Sequence, residues 1–299
     1  METFKKILVA TDFSETSIEA LHQADALARE MGAELYVFHS VPDLIRANPL
    51  FPQKNIEDAY QLPQVMERAA QAVERMISEH LRPNCERAKV VVETGAAEST
   101  LLRTAQELEI DLIVLGSRGF SGLRHVLLGS VAERIVRYAH CPVWIARPMA
   151  KGGHVLGATD FSDPALPAIE TACRIAKLRG VPLTVMHSLG ASSPLAMASS
   201  PFGGGALVPD RVAIEQARLA AEELLASSLK QFNAQGTITV GHGIPHEDIL
   251  HEASVLPASL IVVGSQGRTG LRRIALGSVA ETIAHKASCS VLVVRLADI

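Results

Sequence analysis

Gly116-Ser117-Arg118-Gly119, nine further residues, and then Gly129-Ser130 form the stretch whose reading decides the fold. It follows Leu112-Ile113-Val114-Leu115, an apolar run too brief for a helix and rich in branched residues, as a fully buried parallel strand should be. It precedes Val131, Ile135 and Ala139, which recur every four residues along one helical face. The stretch therefore joins the carboxyl end of a strand to the amino terminus of a helix. Unpaired helix N–H groups and the positive end of the helix dipole favour an anion at such a junction, and glycine lets a backbone come close to it. Ser130 is the expected N-cap. A lone copy would equally suit a plain glycine turn with a capping serine, because short glycine patterns are common.

The stretch occurs twice. Gly264-Ser265-Gln266-Gly267, nine residues, and Gly277-Ser278 follow Leu260-Ile261-Val262-Val263 and precede Val279, Ile283 and Ala287. The shift of 148 residues that carries Gly116 onto Gly264 also carries Asp12 onto Asp160, His39 onto His187, Gly95 onto Gly243 and Cys141 onto Cys289. Between Gly116–Arg147 and Gly264–Arg295 just over half of the positions are identical. A doubled domain accounts for this self-similarity. The expected domains are residues 1–148 and 149–299, each large enough to bury about two thirds of its unfolded surface.

Composition narrows the function classes. Of the 299 residues 48% are hydrophobic and only 4% aromatic, which suits helices on a buried sheet better than an aromatic nucleic-acid platform. The formal net charge of −4 provides no basic field, so no nucleic-acid partner is expected. Asp12 interrupts the apolar run after Lys5-Lys6 before it reaches leader length, and no segment is apolar for long enough to cross a bilayer. The expectation is a cytoplasmic protein with no membrane partner. Cys85, Cys141, Cys173 and Cys289 show no C-x-x-C spacing and read as idle thiols.

Strand and helix patterns alternate through both halves. The first half reads as a strand at 6–10, a helix capped by Ser14, a strand at 34–39 and a connection at 40–62 broken by prolines. A helix from about Pro63 to Leu81, a strand at 89–93, a helix after Gly95, a strand at 111–115 and a last strand at 143–146 complete it. The second half repeats this order, with its own long connection at 189–207. Such alternation predicts an α/β fold of two tandem open five-stranded parallel sheets with helices on both faces. Ligands of these sheets bind beyond the strand carboxyl ends where the strand order reverses. Asp12 after the first strand and Gly116 after the fourth would then face each other across one crevice.

The doubled G-x2-G-x9-G-S pattern, the aspartate after the first strand and Cys141-Pro142-Val143 before the fifth resemble the universal stress protein family in its tandem form. The resemblance covers nearly the whole chain. It implies an adenine nucleotide α-hydrolase-like fold and the branch of the family that binds ATP. It further implies that Asp12 meets the ribose hydroxyls, that backbone groups of Val41 hold the adenine edge, and that Leu115 and Gly116 line ribose and base. Gly119, Gly129, Ser130 and Val131 would wrap the phosphates. In the second half Asp160, Leu189, Val263 and Gly264 would take the ribose and base roles, and Gly267, Gly277, Ser278 and Val279 the phosphate roles. Mg2+ is expected wherever a triphosphate sits. A homodimer and a protein partner of unknown identity are the expected assemblies.

Other chemistries find less support. No G-x4-G-K-S/T loop occurs, and no G-x-G-x-x-G fingerprint stands in the glycine loops. His125 becomes Arg273 in the second copy, so no general base is paired with the loop and any hydrolysis should be slow. His242, His246 and His251 cluster in one half only, without a nearby cysteine. Two rival functions remain open: a true ATP hydrolase using the same pocket, and a nucleotide-free adaptor or carrier of another small ligand. The halves also differ, with Val41-Pro42 against Leu189-Gly190, Arg118 against Gln266 and Phe120 against Arg268.

Overall fold

The computed structural model describes residues 4–42, 52–81, 88–119, 128–148, 153–190, 211–267 and 276–295. The chain forms two compact units, Glu2–Arg147 and Pro148–Ile299. The first contains β1 (Lys6–Ala10), α1 (Glu15–Met31), β2 (Glu34–Val41), α2 (Pro52–His80), β3 (Ala88–Thr94), α3 (Ala97–Glu107), β4 (Leu112–Gly116), α4 (Ser130–Tyr138) and β5 (Val143–Ala146). Its strand order is β3-β2-β1-β4-β5, parallel throughout. The second contains β6 (His154–Ala158), a 3-10 turn (Asp163–Ala165), α5 (Leu166–Arg179), β7 (Leu183–Ser188), α6 (Arg211–Gln231), β8 (Thr237–Gly241), α7 (Pro245–Val255), β9 (Ala258–Gly264), α8 (Ser278–Lys286) and β10 (Ser290–Val294). Its order is β8-β7-β6-β9-β10, again parallel.

The apolar runs are the sheet centres. Ile7, Leu8 and Val9 in β1 and Leu112, Ile113 and Val114 in β4 have no exposed surface, because helices cover both faces of a parallel sheet. α1 begins where the Ser14 side chain accepts the Ser17 amide, and it ends at Gly32, whose left-handed φ of 67° suits glycine. Gly180, φ 62°, ends α5 in the same way. The chain runs from β1 outward to β2 and β3, then crosses back over β1 to β4. Right-handed crossovers therefore put α1 and α2 on one face and α3 and α4 on the other.

Two local readings need correction. α2 starts at Pro52, not near residue 63, and Pro63 lies inside it. Proline opens a helix well, and here that role belongs to Pro52, while Pro63 costs α2 one amide hydrogen bond in mid-course. The part of the first long connection that remains, 43–51, and the second, at 191–210, lie outside the described residues. The caps of α4 and α8 are Gly129 and Gly277, both extended, and Ser130 and Ser278 are the first helical residues.

The central strands carry the fold, so Ile113→Ala should lower unfolding free energy by roughly 2–5 kcal/mol. Leu178→Ala, at a side chain 44% exposed, should change it by less than about 0.5 kcal/mol. Urea unfolding of both variants checks the contrast.

Candidate functional site

In each unit the strand order reverses at the central strand, and a cavity of about 280 Å3 opens there. The first is walled by Thr11 and Asp12 after β1, Phe38, His39 and Ser40 in β2, and Leu115 and Gly116 at the end of β4. α3 contributes Ala97 and Leu101, and the glycine loop adds Arg118, Gly119, Gly129, Ser130 and Val131. The second is built from equivalent positions, including Asp160, Val263, Gly264, Gly267, Gly277, Ser278 and Val279. Fourteen of the sixteen residues singled out from sequence thus line the two cavities. The other two, Val41 and Leu189, stand one residue beyond the lining residues Ser40 and Ser188. The Val41 carbonyl accepts the Gly95 amide at 2.9 Å, and the Leu189 amide donates to the Gly241 carbonyl at 2.9 Å.

The aspartates are aimed by a strained turn. Phe13 and Phe161 have φ of 65° and 61°, a left-handed conformation that is a true outlier for a bulky residue. Each Phe amide donates to the preceding threonine hydroxyl, at 3.0 Å to Thr11 and 2.9 Å to Thr159. Ser14 donates both its amide and its hydroxyl to Asp12 Oδ1, and Ser162 does the same to Asp160. The same aspartate thus closes an Asx turn and lines the cavity. A strain of about 1–3 kcal/mol, kept in both copies, is typical of binding sites.

The histidines reinforce the turn. His39 Nδ1 lies 2.9 Å from the Thr11 carbonyl and His187 Nδ1 2.8 Å from that of Thr159; a carbonyl only accepts, so Nδ1 carries the proton. The Phe13 ring lies against His39 with centroids 4.7 Å apart, and Phe161 against His187 at 4.4 Å. The sequence reading paired these histidines only as repeat positions and missed the threonines, the serines after them and the first turns of α3 and α7. The usable signal was position, since each stands at or just after a strand's carboxyl end.

The glycines separate into two kinds. A Cβ at Gly116 would lie 2.7 Å from the Thr16 backbone, so glycine there lets α1 approach β4. At Gly119 it would lie 2.8 Å from Asp12 Oδ2, and at Gly267 2.5 Å from Asp160 Oδ2. Gly129 and Gly277 differ: both have ordinary φ, and a Cβ would meet nothing nearer than 3.6 Å and 3.4 Å respectively. Packing among the described residues does not require glycine at either position. Gly129 and Gly277 have no side chain to cap α4 or α8, so they leave the first-turn amides of both helices to other partners.

Thiol chemistry has no place here. Cys141, Cys173 and Cys289 are buried, and burial pushes the Cys173 thiol up to about 11. Among the described residues His242, His246 and His251 do not bring three ligand atoms together. His125, Arg273, Phe120, Arg268 and Cys85 lie outside the described residues. No described helix is long and apolar enough to cross a membrane.

Fold and cavity together define a class: a duplicated doubly wound α/β protein with one small-molecule crevice per unit. The universal stress protein family profile matches residues 3–147 and again 153–295, and the chain belongs to that family. A universal stress protein of Methanocaldococcus jannaschii is 30% identical over 149 residues, covering 50% of this chain and 85% of its own. One from Mycolicibacterium smegmatis is 28% identical over 303 residues, covering 97% and 96%, consistent with a tandem form. The crystal structure of a universal stress protein from Archaeoglobus fulgidus superposes with a TM-score of 0.63 at 23% identity, covering 97% of this chain and 98% of that one. At that identity the likeness speaks for the fold.

Gly116→Ala should destabilise the protein by about 1–3 kcal/mol through backbone overpacking. Gly129→Ala should leave the unfolding midpoint nearly unchanged. Thermal melts of the two variants test whether the glycines divide in this way.

Proposed function

We propose that each unit binds an adenine nucleotide, ATP with Mg2+, and that occupancy regulates a stress response in the cytoplasm through a protein partner or a homodimer. The observation that carries the reading is the pair Gly129 and Gly277, glycines with room for a Cβ beside uncapped helix amides. A ligand backed onto that loop explains their lack of side chains. Polyanions suit such a cradle, because first-turn amides and the helix dipole both attract negative charge.

The rest of the cavity fits a nucleoside. Phe38, Leu101 and Leu115 offer apolar surface for a base, and Met186, Ile249 and Val263 do so in the second unit. Asp12 and Asp160 are acceptors for the paired ribose hydroxyls. Phosphates would lie over Gly119, Gly129, Ser130 and Val131, and over Gly267, Gly277, Ser278 and Val279. Among the described residues no partner holds the Ser130 or Ser278 hydroxyl, which leaves both to donate to a phosphate oxygen. Val41 and Leu189 are the rim positions for the base edge. A cavity of about 280 Å3 is at the lower end for a small-molecule site, so the phosphate chain would run out along the exposed loop.

Binding is the mechanism and turnover is slow. The strained turn already commits Asp12 Oδ1 to Ser14, which suits a ribose anchor better than a water activator. Bound with the triphosphate, Mg2+ would offset phosphate charge beside Gly119, Gly129 and Ser130, and beside Gly267, Gly277 and Ser278.

Protein purified without added nucleotide and then denatured should release up to two adenine nucleotides per chain. Stripped protein should gain about 2.7 kcal/mol of stability at a hundredfold excess of Mg-ATP over Kd. Gly129→Ala with Gly277→Ala should abolish that gain at unchanged basal stability. No nucleotide released and no thermal shift would refute the proposal in favour of a nucleotide-free adaptor, whereas ADP formed in steady turnover would establish a hydrolase.

A further inference from the structure

The two cavities share their frame but differ in how the glycine loop is fastened. In the first unit the Thr16 hydroxyl donates to the Arg118 carbonyl, which belongs to the glycine loop. Thr16 Oγ1 also lies 3.2 Å from Ser14 Oγ, and Ser14 in turn donates to Asp12 Oδ1 at 2.5 Å. A chain of neighbouring side chains, with the Ser14 proton given to Asp12 and the Thr16 proton given to Arg118, thus runs from the carboxylate on one side of the crevice to the loop on the other.

That chain is cut in the second unit. Ser162 still donates to Asp160 Oδ1 at 2.5 Å, but Pro164 stands where Thr16 stands in the first copy, and a proline ring has no donor. The helix start changes with it: α1 begins directly after Ser14, whereas Asp163–Ala165 is a 3-10 turn ahead of α5. Contact at the strand end loosens as well. A Cβ on Gly116 would lie 2.7 Å from backbone atoms of Thr16, while one on Gly264 would lie 3.1 Å from its nearest neighbour, Ala165 Cα.

We infer that the cavities are inequivalent: the first is preorganised by Thr16 and holds its nucleotide more tightly, and the second is the exchanging site. Thr16 is a positioning residue, acting through the Arg118 carbonyl on the loop that receives phosphate. Fixing a loop in its bound form removes an ordering cost that a loose loop must meet at the moment of binding. The retained site then keeps the chain liganded while the exchanging site follows nucleotide concentration. This rests on the nucleotide reading above.

Calorimetric titration of nucleotide-stripped full-length protein with Mg-ATP tests it. Wild type should show two classes of site, and Gly277→Ala should remove the weaker one. Thr16→Val should weaken the tighter class by about two- to tenfold, the range for one lost hydrogen bond, while the weaker class stays put. Thr16→Ser keeps the hydroxyl and should restore the tight class. A purely structural threonine would instead shift the unfolding midpoint of both variants without moving either affinity. Two indistinguishable sites in wild type, or a tight class untouched by Thr16→Val, would overturn the inference and leave nucleotide binding standing. No binding at either site would fell the nucleotide reading itself. If Thr16→Val does not fold, the wild-type isotherm with Gly277→Ala still decides between equal and unequal sites.

Discussion

In each unit one strand lies between neighbours from which the chain departs in opposite directions. β1 sits between β2 and β4, and β6 between β7 and β9. Because parallel strands need right-handed crossovers, this reversal separates the loops after β1 and β4 and leaves a crevice between them. Asp12, His39 and the glycine loop gather there in the first unit, and Asp160, His187 and the second glycine loop in the second. The apolar strands beneath are buried on both faces and hold the loop ends in place.

On that floor, local conformations are spent on aiming polar groups. The left-handed Phe13 turns Asp12 into the cavity, and a threonine hydroxyl, a serine and a histidine all bond within the same turn. Strain persists only where surrounding contacts over-determine it, and here the contacts are repeated in the second unit with Phe161, Thr159, Ser162 and His187. The glycines complete the division of labour. Gly116 admits a helix, Gly119 admits a carboxylate, and Gly129 leaves room that no atom of the described residues takes.

The copies diverge in the cavity walls, as with Phe38 against Met186 and Arg118 against Gln266, and also at positions behind them. Replacing Thr16 with Pro164 changes no lining atom, yet it removes a bond to the loop and turns the first helical residues into a 3-10 segment. Differences of this kind alter how firmly a site is held and leave the chemistry it offers unchanged.

The sequence by itself determined the duplication, the alternation of strand and helix, and the aspartate and glycine-loop parts of each cavity wall. Those features follow from local rules: branched apolar runs, four-residue periodicity, and glycine pairs at strand ends. It was misleading where two local signals competed, as with Pro52 and Pro63 in α2, and with the adjacent Gly129 and Ser130 as caps. Only tertiary structure decided which glycines serve packing and which serve a ligand, because that depends on distances from Gly116 to Thr16 and from Gly119 to Asp12, about a hundred residues away in sequence. The Thr16 link to Arg118 was hidden for the same reason: a hydroxyl near a helix start carries no local sign of the carbonyl it will meet.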